Sequence, residues 1–233
     1  MRVDFDIIRW AAWGPGLTTP ESWEQWAASP SVPQGADTPP LTEVPAMARR
    51  RIEKMGRVAF QVATWVQQEV KGLPLVFASR HGDAPRSVDL LTALARNEPL
   101  SPASFAMSVH NAIGGQYSII RQDTANVIAV SNGLFTPEAG LVEAVTVGTE
   151  AVLVVYEASP HPVHAPYYPE APHDYAYALH VKRGGPWAVC TADVTATPAS
   201  QLPHALEVLR FFLSRGVHYR AADGVSGYQW SRT

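Results

Sequence analysis

Ser131 stands in Ala129-Val130-Ser131-Asn132-Gly133, and A-x-S-x-G after an apolar run is the form in which a strand hands a nucleophilic hydroxyl to a following helix. Acyl transfer on that plan needs a base and a residue to orient it. Downstream the chain offers His161, His164, His173, His204, Asp174 and Asp193 for those roles. Local spacing argues against a serine hydrolase or thioesterase: an elbow turns directly into its helix, whereas the best start signal, Thr136-Pro137, comes five residues after Ser131. The lone Cys190 lies inside Trp187-Ala188-Val189-Cys190-Thr191. That run is strand-like and no helix start follows it, so a small buried side chain is expected there rather than an activated thiolate.

Three further groups could carry chemistry. His161, His164 and His173 share residues 161–174 with four prolines, and their irregular spacing marks a solvated loop rather than a metal set. His110-Asn111 is a polar pair among small and apolar residues, and buried polar groups exist chiefly to be hydrogen bonded. Arg49-Arg50-Arg51 and Lys54 form a basic cluster opposite an apolar helix face, read first as a solvated face and second as a dock for an acidic protein.

The elements that must position these residues follow from periodicity. Residues 14–43 are irregular, with one short helix around Trp23 and Trp26 that starts at a Ser/Thr cap. Ile52, Met55, Ala59, Val62, Ala63 and Val66 recur at helical spacing and predict a helix over about 46–71, stopped by Gly72. Leu73 to Ala78 is a short strand, 86–97 a helix carrying Val88, Leu90, Leu91 and Leu94, and Glu98-Pro99 with Ser101-Pro102 a break. Phe105 to Ile120 fits neither period clearly. Ala125 to Val130 predicts a strand, and Thr136-Pro137-Glu138 a helix start with Thr as N-cap. Ala151 to Tyr156 predicts a buried strand. Tyr177 to Lys182 and Trp187 to Val194 flank Gly184-Gly185-Pro186 and suggest a hairpin, and Leu206, Leu209 and Leu213 a last helix. Strands alternating with helices predict an α/β sheet of mixed direction.

Composition narrows the classes. A chain of 233 residues with 46% hydrophobic and 17% charged residues buries one substantial core, so a single domain over 1–233 is expected. The net charge of −3 leaves no basic stripe for phosphates, which excludes nucleic acid as a natural partner. One cysteine forms no internal disulfide, Met1-Arg2-Val3-Asp4-Phe5-Asp6 is too acidic for a signal peptide, and no apolar run reaches the roughly 20 residues of a membrane span. The expected location is the cytoplasm.

The run Phe105 to Ile119 resembles a segment of β-ketoacyl synthases that packs under the catalytic elbow. The likeness extends through Ile8-Arg9-Trp10, Trp13-Gly14-Pro15-Gly16, Val76-Phe77-Ala78-Ser79-Arg80-His81-Gly82, Ser101-Pro102 and Glu138-Ala139-Gly140-Leu141-Val142-Glu143-Ala144. Together these resemble the half-length β-ketoacyl synthase-like N-terminal family found beside full synthases in bacterial aryl-polyene and xanthomonadin-type pigment clusters.

The resemblance implies one thiolase-like half, a mixed five-stranded sheet with helices on its faces. It puts Val130 or Ser131 where synthases carry their cysteine, so no catalytic nucleophile remains, and the family's histidines and lysine belong to a half absent here. It implies a chain-length-factor-like subunit whose edge Ala125, Asn126, Val127, Ile128 and Ala129 pairs with a full-length β-ketoacyl synthase. Leu90, Leu91 and Leu94, with His110 and Asn111, become candidate lining of an acyl tunnel. The phosphopantetheine of an acyl carrier protein would act through the partner. The serine hydrolase or thioesterase built on Ser131 and a homodimeric scaffold without a tunnel are the remaining alternatives.

Overall fold

The computed structural model describes residues 1–68, 70–159, 161–167, 173–214 and 216–233. In chain order the elements are β1 (Arg2–Trp13), α1 (Pro20–Ala28), α2 (Ala46–Arg49), α3 (Lys54–Gln67), β2 (Leu75–Ala78), α4 (Ala84–Ala95), α5 (Pro102–Ala106) and α6 (Ala112–Arg121). They continue with β3 (Val127–Val130), a 3-10 turn (Gly133–Phe135), α7 (Thr136–Val147), β4 (Glu150–Glu157), a second 3-10 segment (Pro162–Tyr167), β5 (Tyr175–Arg183), β6 (Trp187–Thr191), α8 (His204–Leu213), β7 (His218–Ala222) and β8 (Gly227–Arg232). The expected loop from His161 to Asp174 falls partly outside the described residues. Among the described residues no helix is long and apolar enough to cross a membrane.

Among the described residues all strands join one sheet in the order β3-β2-β4-β5-β1-β6-β8-β7. β2 runs parallel to β3 and β4, and every other pairing is antiparallel. The expectation of five strands is corrected to eight. β1 escaped because its period-two alternation of Arg2, Asp4 and Asp6 with Val3, Phe5 and Ile7 breaks at a register shift between Ile7 and Arg9. β7 and β8 are short and part-exposed. The expected hairpin is corrected too: β5 and β6 do not pair, because β1 lies between them and bonds both.

Helices cover both faces, which is why the central strands read as unbroken apolar runs. Val76 and Ala78 of β2, with Leu153 and Val155 of β4, pack toward α7, α8 and Trp23 and Trp26 of α1. Leu75 and Phe77, with Val152, Val154 and Tyr156, pack toward α3 and toward Ile113 and Tyr117 of α6. The approach is tight at two glycines. A Cβ on Gly140 of α7 would lie 2.8 Å from Ala78 Cβ and from Leu153 Cδ1, and one on Gly114 of α6 would lie 2.6 Å from Val127 Cγ1. Either contact would push a helix off the sheet.

The stripe expected on the long helix is buried as read, but that helix is two pieces, α2 and α3. α3 ends before Gly72, at Gln68 with φ of 48°. Its last turn is tied to the open end of the sheet: the Tyr117 hydroxyl donates to Gln67 Oε1, and Gln67 Nε2 donates to Asp123 Oδ2. Asp123 also accepts the Gly72 and Ala125 N–H groups, which fixes how the chain enters β3. α7 begins one residue earlier than expected, with Phe135 as N-cap. Thr136 still braces the turn, accepting the Asn132 N–H and donating to the Gly133 carbonyl.

Candidate functional site

The parallel strands β3, β2 and β4 end on the same side of the sheet, and in open α/β sheets ligands bind in the crevice beyond such carboxyl ends. Three segments meet there: residues 79–83 after β2, residues 131–135 after β3, and Glu157, which closes β4. The first of these is held from several directions. Ser79 N–H donates to the Val130 carbonyl at 3.2 Å, and Gly82 N–H donates to the Ser79 hydroxyl at 2.9 Å. The Ser79 carbonyl meets His110 Nε2 at 2.9 Å, and the Arg80 carbonyl accepts the Ser131 hydroxyl at 3.0 Å. Gly82, at φ of 56°, leaves space that a side chain would take: its Cβ would lie 2.9 Å from His110 Cδ2.

Glu157 is only 7% exposed. Its Oε1 accepts the Arg80 N–H, and its Oε2 is buried without a hydrogen-bond partner. Burial pushes this carboxyl up to about 8, against the opposing pull of hydrogen bonds from Arg80 and Ser79. His81 is driven down to about 4, first by burial and then by the charge of Arg80. Between them lies a cavity of about 30 Å3 whose walls include Arg80, His81, Gly133, Leu134, His173 and His204.

Behind His204 stands a second polar network. Glu138, in the first turn of α7, is 0% exposed. Its Oε1 accepts Trp230 Nε1 at 2.8 Å and meets His204 Nε2 at 2.8 Å, while His204 Nδ1 lies 3.2 Å from the Tyr219 hydroxyl. Burial pushes the Tyr219 phenol up, so it serves as a neutral donor. The network orients protons and ties the start of α7 to α8, β7 and β8, but it presents no nucleophile.

Val130 ends β3 half-buried, and Ser131 is exposed with its hydroxyl committed to a main-chain carbonyl. Of the hydrolase partners, His173 and His204 line the cavity beside Gly133, while His161, Asp174 and Asp193 are engaged elsewhere. His161 Nδ1 accepts Val163 N–H, Asp174 accepts Ser159 N–H and pairs with Lys54, and Asp193 accepts Thr195 N–H and pairs with Arg220. Cys190 sits mid-strand opposite Arg2 and Gln229. Leu90, Leu91 and Leu94 lie on α4, no residue of which is buried, with Leu91 64% and Leu94 57% exposed. Asn111 is the exposed N-cap position of α6. Among the described residues no group of three or more metal-binding side chains comes together.

Glu157 and Glu138 were missed in the sequence. A charged residue closing an otherwise apolar strand was the available signal for Glu157. Glu138 gave none, since its partners lie 66 and 92 residues away and an acid in a first turn ordinarily faces water.

β3 is the edge of the sheet. It bonds β2 through alternate residues, with the Asn126 and Val130 carbonyls accepting from Leu75 and Ser79. By the strand's period of two, the main-chain groups of Val127 and Ala129 face outward. α6, which packs against β3, shows Ile119 to solvent, and Phe105 of α5 and Val109 between the two helices are exposed as well.

A mixed sheet with a parallel edge and helices on both faces is the build of a thiolase-like half. Residues 23–231 match the family model of the β-ketoacyl synthase N-terminal domain, and the chain belongs to that family. Its fold superposes on a chain of the ketosynthase ApeO in complex with its chain length factor ApeC from Xenorhabdus doucetiae, with a TM-score of 0.89 at 26% identity. That match covers 99% of this chain and 100% of the other. A β-ketoacyl synthase from Burkholderia phymatum STM815 (TM-score 0.59, 12% identity, 83% of this chain and 66% of that one) shares the fold. So does the ishigamide ketosynthase/chain length factor (TM-score 0.58, 12% identity, 78% and 59%). No functionally curated protein matches the sequence. The chain is a ketosynthase-like half that resembles chain length factors.

Proposed function

We propose that this protein is a chain-length-factor-like subunit that makes no bonds itself and pairs with a full-length β-ketoacyl synthase in cytoplasmic polyene biosynthesis. The observation that carries this reading is the open edge of β3. β3 is four apolar residues, of which Val127 and Ala129 turn their main-chain groups outward, and Val130 and Ser131 at its end carry no thiol. An unpaired apolar edge is a liability unless another chain covers it. Its similarity to a chain of a ketosynthase–chain length factor complex over its whole length supports the same reading.

On this reading Ala125 to Ala129 run antiparallel to their counterpart in the synthase across a pseudo-twofold. The exposed leucines of α4 then close an acyl tunnel, and the phosphopantetheine arm of an acyl carrier protein enters through the partner. A chain from a complex of a type II PKS acyl-carrier protein with its ketosynthase shares this chain's fold, with a TM-score of 0.61 at 12% identity. The test is co-expression with the ketosynthase encoded beside this chain, followed by size-exclusion chromatography. Co-elution at one-to-one stoichiometry is the expected result. A homodimer indifferent to the synthase would replace this reading with that of a scaffold.

A further inference from the structure

The sheet has a second open stretch, inside its order rather than at its end. β6 runs beside β1 only from Arg2 to Phe5, where Trp187 stands opposite Phe5. Among the described residues, β1 from Asp6 onward therefore has β5 on one side and no strand on the other. Main-chain directions follow from the neighbouring strands. Val152 N–H of β4 donates to the Pro74 carbonyl on the β2 side, so by the strand's period of two Leu153 and Val155 bond toward β5, where Leu179 and Tyr177 stand opposite them. Trp10 and Ala12 of β1 lie opposite the other side of those two residues, so their own N–H and C=O groups turn to the free side. Among the described residues no hydrogen bond takes them up there, whereas the Ile7 N–H on the same side is satisfied by Asp6 Oδ1 at 2.8 Å. Trp10 is half-buried and Ala12 is 4% exposed, and main-chain groups so placed are nearly always paired.

Two cavities flank this stretch, and Trp10 lines both. One, of about 320 Å3, has Arg9, Thr18, Pro20 and Trp65 in its walls; the other, of about 330 Å3, has Trp187, Phe212, Leu213 and Arg232. Trp65 of α3 and Phe212 and Leu213 of α8 belong to the packing on opposite faces of the sheet. Successive side chains of a strand also point to opposite faces, so neighbouring residues of a strand laid along Trp10 and Ala12 would enter one cavity each. Charge selects among such strands. Each cavity holds an arginine: Arg9, whose Nη1 donates to the Val66 carbonyl, and Arg232, whose Cζ lies 4.8 Å from the centre of the Trp187 ring. Among the described residues neither meets a carboxylate, and Asp6, in the wall of the second cavity, already accepts the Ile7 N–H. We propose that the free half of β1 takes an extended segment of another polypeptide as an added strand, apolar where it enters the cavities and acidic at its flanks. Open main-chain groups then supply affinity and the paired cavities selectivity. β2, β4 and β5 stand between this stretch and β3, so the site is apart from the pairing proposed above and does not depend on it.

The test titrates the peptide acetyl-Glu-Thr-Leu-Phe-Leu-Thr-Glu-amide into the purified full chain, reading affinity by calorimetry and amide hydrogen exchange by NMR. Saturable binding with a dissociation constant below about 1 mM is expected. In the free chain the Trp10 amide should exchange at least tenfold faster than that of Leu179, which lies inside the sheet. The peptide should slow Trp10 at least tenfold and leave Val127 and Ala129 of β3 as they were. The same peptide methylated on the nitrogens of its three apolar residues lacks their donors and should bind at least tenfold more weakly. Thr18→Trp, which fills the first cavity from an exposed position, should weaken the parent peptide by as much without disturbing the fold. Arg232→Glu should weaken the acidic peptide and strengthen one flanked by Lys, each at least threefold. No saturation up to about 1 mM, equal binding of the methylated peptide, or protection of Val127 and Ala129 in place of Trp10 would overturn the site. A Trp10 amide already slow in the free chain would overturn it too: the edge is then covered by its own chain if the slowing ignores protein concentration, and by a second copy if it grows with it.

Discussion

β3 closes one end of the sheet with Val127-Ile128-Ala129-Val130, four apolar residues, whereas β7 closes the other with His218-Tyr219-Arg220-Ala221-Ala222. The β7 edge is covered by its own chain. Thr197 N–H donates to the Ala222 carbonyl at 2.9 Å and the Thr197 hydroxyl accepts Ala222 N–H, while the Arg220 guanidinium donates to the Asp193 and Thr195 carbonyls. Charge and a covering segment are two of the standard defences of a free edge. Among the described residues β3 has neither. The difference teaches that the fold protects an edge where it can and leaves bare the edge that the proposed partner must use.

The comparison breaks most sharply under a charge placed on the bare edge. Ile128→Asp puts a carboxylate on the α7 side of β3, where Ile128 packs against the core. Without a counter-charge the cost should be about 3–5 kcal/mol, enough to abolish co-elution with the synthase. Arg220→Glu on the covered edge should leave association unchanged while loosening residues 193–195. If Ile128→Asp keeps its circular dichroism and still co-elutes, β3 is not the pairing edge.

Titration separates the same two ends. Glu157, behind the open end, has a raised pKa, so its contribution to stability is fully present below its ordinary value of 4.5 and is lost as pH rises through about 8. Asp193 and Asp223, at the covered end, are held low by hydrogen bonds, Asp193 from Thr195 and Asp223 from the Ser226 and Val225 N–H groups. Their contribution is present above the ordinary aspartate range and is lost as pH falls through their depressed values. Thermal melts of Glu157→Gln against the parent should diverge between pH 4.5 and 8, by on the order of a few kcal/mol. Parallel melting curves across that window would show that Glu157 is ionised in the fold.

How much of this was legible depended on whether partners were near in sequence. The stripe of α3 and the apolar runs of β2 and β4 carry their own burial in their periods, and they fold where expected. β1 pairs with segments near the other end of the chain, so the local signal at Gly184-Gly185-Pro186 suggested a hairpin that the intervening strand forbids. The site divides likewise. The lost nucleophile could be read from Val130 and Ser131, but Glu157 acquires its meaning only when residues 79–80 arrive, 77 positions away for Arg80.

A gentler change sharpens the edge argument. Ala129→Pro removes one outward N–H, and the bonds of β3 to β2 use alternate residues, so the chain's own ladder keeps its partners. One intermolecular hydrogen bond is worth about 0.5–1.5 kcal/mol net, so affinity for the synthase should fall up to about tenfold with the monomer still folded. Affinity measured by surface plasmon resonance decides it. An unchanged dissociation constant would mean that side chains, and not the main chain, make the contact.

The smallest effect on the isolated chain and the most specific effect on function are expected on α4. Leu91 and Leu94 are more than half exposed and Leu90 is half-buried, so replacing an exposed one by Ala should change monomer stability by less than about 0.5 kcal/mol. That separates folding from gating, because any change in product cannot then be blamed on a damaged subunit. If one of these leucines closes the acyl tunnel in the complex, Leu→Ala removes three carbons and makes room for about one more two-carbon unit, since filling there is governed by volume. Leu→Trp at the same position should shorten the product. Mass analysis of polyenes from the reconstituted pathway, run with Ala and Trp at each of Leu90, Leu91 and Leu94, reads the outcome. If every variant assembles with the synthase and the product lengths stay the same, the exposed face of α4 serves contact alone and the gate lies elsewhere.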